Sequence, residues 1–443
     1  MASSIYFPHY VLGALVLSAS VFYKPLSLRA EVLGLLRPHD SIQNVHGEDL
    51  KIIPDTVQCE DLHHHLPSGL LFAACQGSED ERFSWFPPLA NFKDHNAAEK
   101  SQGGLYVVDP KTKKIYQTFT SQRLQLEGFS GPFITHGIDL YLESPNSIYI
   151  FAVNHLPNPE YYDSVPRNSS IPKASSQIEV FRHHIGSTHA KFLRSVRHPL
   201  IRTPNDIYAT STSSFYVTND HYYREGRLRF FEDVAYQKLA GWSDIVHVAI
   251  DPFLSAEVAT DGITATIAHS GMHNPNGLGH GKNSSEIIIG RAAAGVMSLA
   301  KVDGSDPEGK RLNLTEKIQL QSTIDNPTYY TDPFASSLGA LDDASGYVVA
   351  GMARAVDLAE NADWPKGSDP AMVWLVQPNR NLTASKEKWT RKLIFQDDSK
   401  TLRSASAAIL IGIDPKENLG QKHAWLFVTG FFSKAIVATK ISL

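Results

Sequence analysis

Hydrophobic positions fall into short runs rich in Val, Ile, Tyr and Phe, broken by Gly, Pro, Asn and Ser, a strand pattern. The runs come in pairs. Leu70–Cys75 is followed by Gly104–Asp109, Ser147–Asn154 by Gln177–Phe181, and Ser214–Asp220 by Ile245–Ile250. Glu286–Gly290 then precedes Val296–Val302, Tyr347–Met352 precedes Ala371–Val376, and Ala424–Phe432 precedes Ala435–Ile441. With flanking strands added, each pair becomes a four-stranded unit. The clearest reads Gly137–Leu142, Ser147–Val153, Gln177–His183 and Lys191–Val196. Helical periodicity is scarce, and Phe231–Leu239 is the best amphipathic candidate. Without crossover helices a doubly wound α/β fold is disfavoured. Units that cannot bury both faces alone do so when arranged radially around a channel. The predicted fold class is therefore all-β, a six-bladed β-propeller with four-stranded blades.

Polar residues sharpen this picture. Short carboxylate and carboxamide steps recur ahead of the strand pairs: Glu60-Asp61, Asn205-Asp206, Asn276-Gly277 and Asp325-Asn326. His136 takes the corresponding slot in one unit and Ser404 in another. Each sits at or just before the start of an innermost strand, so residues far apart in sequence converge at one mouth of the channel. A single such step is ordinarily a turn or strand cap, but matched positions across units point elsewhere. Glu60, Asn205, Asn276, Asp325 and Asn326 offer hard oxygens and two formal negative charges, a set suited to Ca²⁺. Zinc would want N or S ligands. Asp61 and Asp206 neighbour these residues in extended chain and face the other way, which allows a second ion deeper in the channel. His136 and His155 of one unit are the candidate bases, since a histidine near pKa 6.5 accepts a proton from water. The run His63-His64-His65 reads as strand surface, because consecutive strand residues cannot all face one ion. There is no Gly-x-Ser-x-Gly elbow, and Gly277–Gly281 lacks the lysine and strand–helix context of a phosphate loop.

Composition supports a large folded core. The 443 residues are 42% hydrophobic, and a net charge of -5 gives no sign of a nucleic-acid partner. Met1–Tyr23 carries no charged side chain and Val11–Val21 is strongly apolar, like a signal peptide or short anchor. Sequons stand at Asn168, Asn283, Asn313 and Asn381. Together these predict the secretory route, secreted or membrane-anchored. The expected organisation is 1–25 leader or anchor, 26–44 linker or helix, and 45–443 propeller. The N-terminal part is a candidate for contact with a membrane or lipid surface. The only cysteines, Cys59 and Cys75, flank one strand signal and are either a disulfide or two buried thiols.

Several motifs resemble the paraoxonase/arylesterase family: Phe133-Ile134-Thr135-His136-Gly137-Ile138, Ala152-Val153-Asn154-His155, Pro204-Asn205-Asp206-Ile207 and Tyr216–Tyr222. Phe431-Phe432-Ser433-Lys434-Ala435 is similar to that family's last blade. The resemblance spans residues 45–443. It implies a six-bladed propeller with two channel calcium ions that hydrolyses lactones and aryl esters. By motif, Glu60, Asn205, Asn276, Asp325 and Asn326 would hold the catalytic calcium, and Asp61 and Asp206 the structural one. His136 and His155 would be the histidine dyad, and Phe432 would line the pocket. This chain lacks the family's disulfide between the N-terminal region and the last strand, so ring closure is expected from strand pairing around Asp49 and Ala438. Insertions at Val356–Pro370 and Asn158–Lys173 are expected to reshape the channel mouth. Two rival readings are a gluconolactonase-like sugar-acid lactonase and a non-catalytic propeller with structural calcium.

Overall fold

Successive side chains on a strand point to opposite faces, and in this chain both faces of each unit are buried. In the strand Ser147–Pro157, Ile148, Ile150 and Ala152 pack toward one neighbouring unit while Phe151 and Val153 pack toward the other. That is why the central strands read as unbroken apolar runs. In a computed structural model, residues 25–111, 118–235, 239–254, 257–335, 343–380 and 387–443 are described.

Six sheets form the blades. The first blade contains Asp61–His65, Leu70–Cys75, Gly104–Asp109 and Thr120–Arg123. The second contains Thr135–Ser144, Ser147–Pro157, Ala174–His184 and His189–Val196, with Gln125–Glu127 added at its outer edge. Pro204–Ser211, Ser214–Asn219, Ser243–Ile250 and Ile263–Met272 make the third. Pro275–His280, Ile287–Arg291, Val296–Val302 and Leu312–Gln319 make the fourth. The fifth runs Pro327–Tyr330, Gly346–Met352, Ala371–Pro378 and Trp389–Asp397. Ala405–Ile413, His423–Gly430 and Ile436–Ser442 form the sixth, completed by Glu48–Ile53.

Each innermost strand touches the next, and the sixth touches the first, so the ring is closed. Six hydrophobic cores lie one between each pair of adjacent blades. The predicted six-bladed propeller is thereby borne out. Closure comes from antiparallel pairing of Glu48–Ile53 with Ile436–Ser442, with Lys51 opposite Ala438. Strand pairing does the work expected of it.

The expected helix over Phe231–Leu239 is displaced: it spans Arg227–Val234, starting after Gly226 at φ 89°. Apolar periodicity misplaced it because its buried side is polar. Arg229 and Glu232 are buried, whereas Phe230 is 67% exposed. Glu232 accepts from the Tyr222 and Tyr223 amides and from Ser243 Oγ, which holds the helix to its blade. Asn168, Asn283 and Asn313 are exposed, while the Asn381 sequon and the segment 1–24 lie outside the described residues. Among the described residues, no helix is long and apolar enough to cross a membrane.

Cys59 and Cys75 are joined in a disulfide that ties the chain two residues before the innermost strand of the first blade to the end of its second strand. Closing a loop of this size restricts the unfolded chain and stabilises by about 3 kcal/mol. Replacing both cysteines by alanine should lower unfolding stability by about 2–4 kcal/mol, read from denaturant titrations. Reduced wild-type protein should match the double variant; if it does not, the tie contributes nothing.

Candidate functional site

The polar steps open or immediately precede the innermost strands. Glu60 stands one residue before Asp61–His65, while His136, Asn205 and Asn276 are the second residues of their strands. Asp325 and Asn326 stand just before Pro327–Tyr330. At Gly137 a β-carbon would run into the Asn205 carbonyl and Asp206, and at Gly277 into Asn326. Only glycine lets neighbouring strands approach this closely.

Five buried oxygens in this ring lack any hydrogen-bond partner: Glu60 Oε2, Asn205 Oδ1, Asn276 Oδ1, Asp325 Oδ1 and Asn326 Oδ1. Leaving one buried polar atom unpaired costs about 1–3 kcal/mol. Five orphans of one polarity, all acceptors, fit a hard cation. Asn326 Nδ2 donates to Glu60 Oε1 at 2.9 Å and turns both remaining oxygens free. Acidic residues and histidines alone give no group of three able to hold a metal among the described residues. The cradle depends on its three carboxamides.

Electrostatics agree with that fit. Burial, followed by the charge of Asp61, pushes Glu60 up to about 8. Burial and then Glu60 and Asp61 hold Asp325 well above the usual carboxylate range. Asp206 is raised by burial and then by Asp61 and Glu60. Carboxylates crowded in a low-dielectric channel repel one another, and a dication reverses that balance.

Asp61 and Asp206 are bound differently from the first set. Asp61 accepts from the Leu62 amide and from Ile138 of the next innermost strand, at 2.8 and 2.9 Å. Asp206 likewise accepts from Ile207 and Leu278, at 2.7 and 2.6 Å. The same stitch is made by Asp139, which accepts from Leu140 and Ala209. For Asp61 and Asp206 the fit to a second ion therefore rests on charge, because neither carboxylate leaves an orphan oxygen.

His63 corrects the reading of His63-His64-His65 as strand surface. Its side chain turns into the channel, with Nε2 3.0 Å from Asp61 Oδ2 and Nδ1 3.3 Å from Asp139 Oδ1. Burial lowers its basicity, but the charges of Asp61 and Asp139 prevail and raise it to about 9. His65 is fully buried against Ser68 and Phe72, and His64 is half-buried. Alternation excluded a shared ion but not separate buried roles.

His136 and His155 form a direct pair: His155 Nε2 lies 3.0 Å from His136 Nδ1, and His155 Nδ1 2.9 Å from Ser176 Oγ. His136 Nε2 faces the cradle, 3.8 Å from Glu60 Oε1. Burial first, then the neighbouring imidazole and Arg82, hold His136 well below its ordinary value. Burial and then Arg224 lower His155 to about 3. Both rings are neutral near pH 7. A cavity of about 10 Å³ against His155 has room for about one water molecule and is lined by Pro87, Pro88, Pro204 and Arg224, among others. A larger cleft of about 400 Å³ around Gln102, Arg123 and Phe129 lies on the first and second blades, away from the pair.

One functional element escaped sequence reading, the stretch 76–101 between the second and third strands of the first blade. It caps the histidines. Trp85 Nε1 donates to the His155 carbonyl at 2.8 Å, and Phe86 packs edge-on against both imidazoles. Phe83 stacks on Phe432 at 4.6 Å, and Phe431 joins them. Phe432 is fixed by its amide bond to Ser404 Oγ and belongs to this aromatic wall. The two expected insertions support the cap, through Asn91 to the Ala362 carbonyl and through Tyr162 against Trp85. The cluster Arg82-Phe83-Ser84-Trp85-Phe86 was the available signal. It lay outside any strand period.

The Arylesterase family model matches residues 86–264, a stretch holding Phe86, both histidines, Asn205 and Asp206. Serum paraoxonase/arylesterase 2 of Gallus gallus is 28% identical over 225 residues, covering 51% of each chain. Serum paraoxonase/lactonase 3 of Homo sapiens is 23% identical over 313 residues, covering 70% of each. The chain thus spans about half the length of the chicken relative. A periplasmic gluconolactonase of Pseudomonas aeruginosa matches at TM-score 0.39 and 8% identity, over 87% of this chain and 85% of that one. So distant a likeness says nothing of function. The paraoxonase/arylesterase resemblance is borne out by the family match and the relatives.

Glu60, Asp206 and Asp325 are raised in the fold, so the metal-free fold is most stable below the unfolded values, 4.5 for Glu60, where these carboxyls are protonated. That stability is lost as pH rises through about 8, the folded value for Glu60. A cation takes the deprotonated forms, so its affinity should rise over the same window with release of protons. Calorimetry with Ca²⁺ in buffers of different ionisation enthalpy should show proton release and tighter binding at pH 8 than at pH 6. Equal affinity at both would remove the carboxylates from the binding set.

Proposed function

We propose that this chain is a calcium-dependent hydrolase of carboxylic esters and lactones, an arylesterase or lactonase. The observation that carries this is the ring of five unpartnered oxygens facing a buried, neutral histidine pair. Glu60, Asn205, Asn276, Asp325 and Asn326 would hold the catalytic calcium, and Asp61 and Asp206 a second, structural one. Bound there, calcium supplies Lewis-acid polarisation of the carbonyl and stabilises charge on its oxygen. The chain's own residues supply the rest. His136, neutral and aimed at the cradle through Nε2, takes the proton of the attacking water, and His155 fixes its ring through Nδ1. Ser176 orients His155 in turn. The cap excludes bulk water, which strengthens every electrostatic contact beneath it.

Phe83, Phe86, Phe431 and Phe432 make an apolar wall suited to aryl and acyl groups. A sugar-acid lactonase would need hydroxyl-binding groups there instead. A purely structural calcium leaves the paired histidines without a role. The segment 1–25 would act as a leader or anchor on the secretory route, with the exposed sequon asparagines glycosylated. It would also place the protein at a membrane or lipid surface.

Calcium-loaded protein should hydrolyse phenyl acetate and at least one of a panel of γ- and δ-lactones, and EDTA should abolish turnover. Asp325→Ala should remove activity and weaken calcium binding together. His136→Gln should lower kcat by about 10²–10⁴-fold while calcium affinity and melting temperature stay unchanged. Full activity and calcium affinity in Asp325→Ala would falsify the proposed ligand set.

A further inference from the structure

One cation inside the capped site has no settled partner. Arg82, a residue of the cap itself, is fully buried. Its Nη2 donates to the Thr135 carbonyl at 2.9 Å, next to His136. Its guanidinium carbon lies 4.5 Å from the centroid of Phe86, the ring that packs on both histidines. The carboxylates of Glu60, Glu81 and Asp325 act on its charge. Yet Nε and Nη1 are buried with no acceptor. Two unmet donors on a buried cation cost about 1–3 kcal/mol each or more. They match, in opposite polarity, the unmet oxygens across the site. A ligand that carries negative charge on oxygen would satisfy them.

We propose that Arg82 is a catalytic residue that donates its free N–H groups to the acyl oxygen of the ester or lactone as charge develops there. This rests on the hydrolase reading given above. A water oxygen bonds to the acyl carbon and passes its proton to the neutral histidine pair, while the carbonyl π electrons move onto the acyl oxygen. That oxyanion accepts the Arg82 N–H bonds. The carbonyl then re-forms, the bond to the alcohol oxygen breaks, and the histidine returns its proton to the departing alkoxide or phenoxide. The carboxylic acid product ionises in solvent. A guanidinium keeps its charge throughout and needs no proton exchange.

Arg82→Gln and Arg82→Lys in the full, calcium-loaded chain decide the matter. The glutamine variant should lose about 10²–10³-fold in kcat on phenyl acetate with little change in KM, the signature of a lost oxyanion donor. Phenylphosphonate, a stable mimic of the oxyanion, should bind it more weakly by a similar factor. Calcium affinity should not fall. Arg82→Lys should bind phenylphosphonate about tenfold more weakly than wild type, having lost one charge-assisted hydrogen bond. It serves alone if the glutamine variant does not fold. Unchanged phenylphosphonate affinity in the variant that folds overturns the proposal and leaves Arg82 a prop for the cap. If wild type turns over no ester or lactone, the hydrolase reading fails separately, and the phenylphosphonate comparison still shows whether Arg82 binds an oxyanion.

Discussion

An innermost propeller strand is an edge strand, and its inward N–H groups have no sheet partner. Here aspartate side chains supply one. Asp61, Asp139 and Asp206 each accept from the amide that follows and from an amide of the next innermost strand. The stitch draws strands to within glycine distance and fixes the depth at which each blade presents its leading residues. It also loads the channel with negative charge. Two features above it follow from that compromise: the raised carboxyls and the orphan oxygens at the mouth.

Much of this was legible in the chain. Central strands buried on both faces leave long apolar runs, and six repeats of a pair can close only as a ring. The leading residues were found because they share one register across blades. What stayed hidden has physical reasons. Asp139 and His63 lie three residues beyond His136 and Glu60, one strand step deeper, and were not read as a second layer. The Arg227–Val234 helix buries Arg229 and Glu232 and exposes its phenylalanines, so apolar periodicity misplaced it. Neither propensity nor period predicts a cap such as residues 76–101. It is held by single contacts from Trp85, Asn91 and Tyr162 to partners distant in sequence.

Charge is arranged in layers down the channel. Farther along the channel His63 and His280 stand against Asp139. Above them come the aspartate stitches, then the acceptor cradle, and finally Arg82 of the cap. His63 and Arg82 thus stand on either side of a carboxylate-rich middle.

The closing strand has a consequence in time. Glu48–Ile53 waits for Ile436–Ser442, from the opposite end of the described chain, before the sixth blade is whole. During synthesis Glu48–Ile53 must therefore stay unpaired until Ile436–Ser442 has emerged. Contacts of such long sequence separation form slowly. Asn326 bridges to Ala407 of that blade and donates to Glu60 of the first. The acceptor ring is therefore complete only once the first, fifth and sixth blades have met.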